Sequence, residues 1–226
     1  MDAEEHAALG SLGPYFTVCR AIDTSSWRPV RDLLDPDVMG ERVDHAHRLL
    51  RTMAGAAVEV RVAVSTLSLG LFARLVSPVL GATVLGIPLP QPSLDDAWWQ
   101  PIPHGPWPLA MTGAPADPDL EDLLDEVVVP LAGTLAESFS LSEQVLRGNA
   151  ASAVFGATAM VGSSRPDLWP AARELGMALL RGPLAGTGEV RSGFVRSSCC
   201  LYYRIPGGGY CSDCVLAHPL AKACRD

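Results

Sequence analysis

The chain has 226 residues, 48% of them hydrophobic and 19% charged, which suits a globular protein of one or two domains and excludes a disordered one. A net charge of −8 excludes a general nucleic-acid binder, which needs a basic surplus.

Residues 1–30 read as a short helix followed by an irregular stretch that closes at Trp27 and Pro29. The start, Met1 to His6, is acidic and no apolar run follows it, so the expectation is a cytoplasmic chain without a secretory leader. Asp35-Pro36-Asp37 is a turn or helix-start signal. From Met39 to Val58 the apolar residues Val43, Ala46, Leu49, Leu50 and Met53 recur at helical steps. His45 and His47 lie two apart, so on a helix they diverge and cannot share a metal; they read as solvated or satisfied histidines. A second helix is expected from Arg61 to Val76, apolar nearly all round and therefore central. Val58 to Val64 alternates like a strand, but length and continuity favour helix. Ser65, Thr66 and Ser68 are expected to bond back to preceding carbonyls.

Residues 77–118 change character, with many prolines and with Trp98, Trp99 and Trp107. Extended pieces or a hairpin are expected. The uncharged run Leu75 to Leu94 is broken by Pro78, Pro88, Pro90 and Pro92, so no transmembrane segment is expected, while peripheral membrane contact stays open. Two readings compete for Trp98, Trp99, His104 and Trp107. They cap the helical core, or they form a surface for a substrate or for covering a metal group.

Asp117-Pro118-Asp119 opens a further helix with a stripe of Leu120, Leu123, Leu124, Val127, Val128 and Leu131, and Pro130 is expected to kink it. Ser140-Leu-Ser-Glu143 reads as a capping box for a helix reaching about Val161. Its small residues, Gly148, Ala150, Ala151, Gly156 and Ala157, suit close helix packing. Arg147 and Asn149 read as packing or surface positions, with contact to the cysteine segment as the other reading. A last helix runs from Pro170 to Arg181, and Leu184 to Arg191 is a linker. No internal repeat is visible.

The chain then reaches its densest chemistry, Ser197 to Leu216. Cys199, Cys200, Cys211 and Cys214 are spaced Cys-Cys, ten residues, Cys, two residues, Cys. The Cys211–Cys214 step lets two thiolates of a tight turn reach one metal. Tyr202, Tyr203 and Arg204 are a β-prone run, and Pro206-Gly-Gly-Gly209 is a turn. The expected form is a strand with the vicinal pair, a glycine turn and a knuckle. Four thiolates suit zinc or an iron–sulfur cluster, and a disulfide is the third option. The vicinal pair needs a bent backbone, which favours the larger iron–sulfur group without removing zinc. Cys19 and Cys224 read as spare thiols. Gly207-Gly208-Gly209 lacks the rest of a dinucleotide fingerprint, so neither flavin nor NAD is expected and electrons would come from a partner.

The run Arg196-Ser-Ser-Cys-Cys-Leu-Tyr-Tyr-Arg204, with Pro206 to Gly209 and Cys211-Ser-Asp-Cys214, resembles the C-terminal motif of FhuF-type ferric siderophore reductases. It is most similar to their actinobacterial (2Fe–2S)-binding members. The resemblance covers about twenty residues. It implies a [2Fe–2S] cofactor held by Cys199, Cys200, Cys211 and Cys214, and one-electron reduction of siderophore-bound Fe(III), hydroxamate-type favoured. It also implies an external donor such as a ferredoxin or flavin reductase. The alternatives are an electron-transfer protein without its own substrate site and a structural Cys₄-zinc protein. Arg196 and Arg204 read as charge balance for an anionic cluster or as docking contacts for substrate or partner; Trp98, Trp99 and Trp107 are the other contact candidates. The expected architecture is mainly α (α+β). Residues 1–190 would form a bundle-like helical domain with the Pro/Trp-rich insertion, and residues 191–226 a small strand-turn-knuckle segment holding the cluster.

Overall fold

A computed structural model describes residues 1–19, 22–103 and 105–217. The order is α1 (Ala3–Gly10), β1 (Arg28–Pro29), a 3₁₀ turn, α2 (Pro36–Ala54), α3 (Val60–Leu85), β2 (Ala97–Trp99) and β3 (Leu109–Met111). Then come α4 (Leu120–Leu123), a π-helical turn (Leu124–Val128), α5 (Val129–Phe139), α6 (Glu143–Ser164), α7 (Trp169–Arg181), β4 (Gly188–Val190) and β5 (Phe194–Arg196). The chain is mainly helical, as the periodicity led one to expect, and its described residues include two small antiparallel sheets.

The centre is α3. Val62, Phe72, Leu75, Val76, Val79 and Leu80 are all buried, and α6 and α2 pack along it. It is long and apolar enough to cross a membrane by composition, yet 72% of its most apolar window is buried inside the fold. Pro78 stands inside α3 without ending it, so the helix runs nine residues further than the apolar pattern suggested. The irregular segment therefore begins at Gly86, whose left-handed φ of 66° closes the helix. Ser77 Oγ donates to the Ala73 carbonyl at 2.6 Å, the back-bonding that lets a hydroxyl stay mid-helix.

Within the insertion, β2 and β3 form the expected hairpin, with Trp98 opposite Ala110, and β1 adds to its other edge with Arg28 opposite Trp99. Around Pro130 the chain widens into the π turn before α5 and continues, since a proline supplies no N–H to the helical ladder. The capping box does not form. Ser140 takes a left-handed conformation at the end of α5, and the N-cap of α6 is Ser142, whose side chain makes no capping bond. Two features bring the C-terminal segment onto α6. Phe194 stacks on Phe155 with centroids 4.4 Å apart. Gly188 leaves the room that Phe194 fills, since its Cβ would meet Phe194 Cζ at 2.6 Å.

Candidate metal centre

The vicinal cysteines do not lie on a strand. β5 ends at Arg196, whose N–H donates to the Asp213 carbonyl at 3.1 Å and ties the strand end to the second cysteine turn. Ser198 Oγ then donates to the Gln144 carbonyl of α6 (3.0 Å), and Ser65 Oγ of α3 donates to the Cys200 carbonyl (2.7 Å). Leu201 follows in the left-handed region, φ 66°, with its side chain buried. That conformation costs a non-glycine residue about 1 kcal/mol. It supplies the bend that adjacent cysteines need, because neighbours on a straight strand point apart. Leu201 N–H turns back to donate to Cys199 Sγ at 3.3 Å, while Cys200 Sγ lies 3.3 Å from Cys211 Sγ. Tyr202–Arg204 is a 3₁₀ turn and not the β-run its composition suggested; Leu201 has already reversed the chain. Gly207 and Gly209 take φ of 78° and 72°, as the glycine turn required, and Cys214 N–H closes the last turn on the Cys211 carbonyl at 3.2 Å.

All five described cysteines are free thiols. The hydrogen bond from Cys211 pulls the Cys200 thiol down to about 6. Cys211 moves up, because it gives that bond and is buried beside Asp213. Burial raises Cys199, and the Leu201 amide partly offsets this. Cys200 is thus drawn towards the thiolate, the form that binds metal. Among the described residues, no three cysteine, histidine or carboxylate side chains gather around one point as ligands of a single ion would.

Beneath this loop lies a buried polar seat. Asn149 of α6 is fully buried and donates through Nδ2 to Ser68 Oγ (2.7 Å) and to the Ser65 carbonyl (2.9 Å). Its Oδ1 accepts from Arg196 Nη2 at 2.6 Å. The guanidinium fits because Gly148 has no side chain: a Cβ there would sit 2.8 Å from Arg196 Nη2 and would also collide with Ser198 Oγ. Ser152 Oγ donates to Asp213, so α6 holds both cysteine pairs.

Residues 196–216 match the FhuF 2Fe-2S C-terminal domain.

No curated protein matches the chain. The cofactor of this FhuF-type segment is a [2Fe–2S] cluster, and the seat beneath the cysteines fits one. The segment supplies four soft sulfur donors, and Arg196, whose charge acts on Cys199 and Cys200, is fully buried with Nε and Nη1 lacking a hydrogen-bond partner. Unpaired cationic donors in a protein interior suit an anionic iron–sulfur group and are costly otherwise.

The other candidates separate clearly. Arg196 is 0% exposed, so it cannot dock a substrate or partner on the surface; the charge-balance reading suits its position. Arg204 is exposed and forms an ion pair with Glu59 at 2.7 Å. Trp99 is 1% exposed, with Trp107 at 5.0 Å and the Arg42 guanidinium 5.6 Å from its ring centre. Burial removes Trp99 as a direct substrate contact; it caps the core. Trp98 is half-buried. Trp107 is also half-buried and lines a cleft of about 240 Å³ between α2, α3 and the insertion residues Ile102, Pro103 and Pro106, with Arg42, His45, Thr66 and Arg74. His47 is satisfied by the Val58 carbonyl at 2.7 Å. Cys19 belongs to the insertion, its N–H donating to the Leu109 carbonyl at 2.7 Å. His104 and Cys224 lie outside the described residues.

Three residues of the seat had weak signals in the sequence. Ser65 was expected to bond along its own helix and instead reaches Cys200. Asn149 was read as packing or surface, with contact to the cysteine segment as the other reading, and Gly148 as a helix-packing position. A fully apolar helix turn carrying Gly-Asn opposite a Ser-x-x-Ser helix was the available clue.

Proposed function

We propose that this protein is a ferric siderophore reductase of the FhuF type, working in the cytoplasm on iron held by hydroxamate oxygens. The observation that carries the reading is the FhuF-type cysteine segment itself, with its unequal exposure. Cys200 and Cys214 are buried in the body, while Cys199 and Cys211 are half-exposed and Tyr202, Tyr203 and Tyr210 of the same segment are exposed. When bound, the cluster supplies one electron at a time to the ferric complex and is refilled by an external carrier such as a ferredoxin or flavin reductase. Hard oxygen ligands hold Fe(III) far more tightly than Fe(II), so reduction releases the metal without any need to open its coordination shell first.

In this reading Cys199, Cys200, Cys211 and Cys214 are the four ligands. Residues 191–226 are the cofactor-bearing segment, and its described part packs on the helical body of residues 1–190. The three tyrosines and Arg204 form the outer face that a partner meets. Trp107 offers an aromatic wall to one arm of the chelator, because its cleft is smaller than the roughly 300–1,000 Å³ of whole-ligand pockets.

A second reading, an electron carrier without its own substrate site, draws on one observation. Neither that cleft nor the apolar one between α5 and α6 is lined by any of the four cysteines. Stopped-flow reoxidation of the reduced protein by a panel of ferric hydroxamates separates the two. A reductase gives rates that saturate, and Trp107→Ala raises the half-saturating concentration several-fold with the cluster spectrum intact. Rates that rise linearly, follow only driving force and ignore Trp107 belong to the carrier. A colourless protein with one zinc belongs to neither.

A further inference from the structure

Arg196 is used by neither reading, yet it is among the largest fully buried side chains of the protein. Its Nη2 is occupied, donating to Asn149 Oδ1 at 2.6 Å and to the Val145 carbonyl at 3.3 Å. Its Nε and Nη1 are enclosed without a partner, and no ion pair among the described residues includes it. The direction of Asn149 is fixed, since its Nδ2 is committed to Ser65 and Ser68; only its oxygen is left for the guanidinium. From Ser65 the same network passes to the Cys200 carbonyl. Arg196 therefore stands three residues before Cys199, braced from behind, with half its fork aimed at nothing the protein supplies.

We propose that Arg196 tunes the cofactor: its Nε–H and Nη1–H donate hydrogen bonds to the sulfurs of the [2Fe–2S] group and raise its reduction potential, with Asn149 as the positioning residue that aims them. The physics is that of any donor to cluster sulfur. An added electron puts negative charge on the sulfurs, so a nearby N–H stabilises the reduced form more than the oxidised one. A forked, rigid guanidinium suits two sulfur acceptors better than a lysine ammonium would. The inference rests on the cluster but not on the ferric substrate, so the fates of the two readings can be told apart.

The test is a potentiometric titration of the purified holoprotein followed by electron paramagnetic resonance. Arg196→Gln should lower the equilibrium constant for reduction about tenfold, about 59 mV for one electron, with the visible spectrum retained. Arg196→Lys should recover part of that shift, and Asn149→Ala should give a smaller one in the same direction. A second measurement needs no variant that might lose its cluster: the reduced wild-type protein carrying ¹⁵N-arginine should show a ¹⁵N hyperfine coupling to the cluster, and Arg204→Lys should keep it. An intact cluster with wild-type potential in Arg196→Gln overturns the proposal, as does a labelled wild type without the coupling. Should Arg196→Gln fail to hold iron, the labelled wild type decides alone. A protein without iron and sulfide removes the cluster and this inference together.

Discussion

Among the described residues two arginines are buried, and they are buried differently. Arg74 of α3 donates from every arm: Nε to the Trp107 carbonyl, Nη1 to the Tyr15 carbonyl at 2.8 Å and Nη2 to the Thr17 carbonyl. Desolvation lowers it to about 10, which is the expected cost of enclosing a cation among carbonyl dipoles. Every arm meets a backbone carbonyl, so its task is to fasten the N-terminal stretch and the insertion to α3. Arg196 has the same depth but only one arm occupied. A buried cation whose donors are fully used is explained by the fold; one whose donors are half used is explained by something the fold was made to hold. Comparing satisfaction, not burial, is what distinguishes the two.

The comparison can be broken most decisively at the sulfurs. Cys199→Ser, Cys200→Ser, Cys211→Ser and Cys214→Ser should each lose most of the iron, measured as iron and acid-labile sulfide per chain. Cys19→Ser should keep it, because the Cys19 backbone is bridged to Ala110 of β3 and not to the cysteine segment. A Cys200→Ser protein with full iron content would leave Arg196 without the neighbour that justifies it. Next in size is Arg74→Met. Three carbonyls lose their donor at once, so urea unfolding should show a loss of about 3 kcal/mol, while the spectrum and potential of the folded holoprotein stay put. A shifted potential there would erase the distinction between the two arginines.

Gly148→Ala sharpens it further. A methyl group at 2.8 Å from Arg196 Nη2 forces the guanidinium or the helix to move, and a loss of about 2 kcal/mol is expected together with a change in cluster potential. The control is Gly156→Ala, eight residues along the same helix, where a Cβ meets nothing within 4 Å. There the smallest effect is expected, a gain of up to about 1 kcal/mol from restricting the unfolded chain. Equal losses at the two glycines would mean that Gly148 serves helix packing alone.

Much of this was legible in advance, for physical reasons. The central helix could be read because its burial is apolar on all sides, and the hairpin because prolines and tryptophans leave few other options. The cysteine spacing could be read because ligand geometry is local. What stayed hidden is non-local or conformational. Nothing in a one-dimensional pattern says that Ser65 will prefer a carbonyl 135 residues away to one on its own helix. Leu201 is an ordinary apolar residue until the loop places it in the left-handed region, and that turned a supposed strand into a bend. Pro78 reads as a helix breaker, yet the packing around α3 outweighs the one hydrogen bond it removes. Arg196 was read as charge balance or as a docking contact, and nothing in its charge says that it is enclosed; its neighbour Gly148, lacking a side chain, leaves the room for that.

The network under the cysteines also sets a timetable. Its links join α3 to the loop across 135 residues, α3 to α6 across 84, and α6 to the loop across 54. Closing such long loops carries an entropic cost that is met before any reward arrives, so contacts of this kind form late in folding. The chain is also made from its N-terminus, so the cysteines leave the ribosome after the helices that seat them. The four thiols therefore reach their places after the helices have found one another, and iron delivered before that moment meets a flexible peptide instead of a seat.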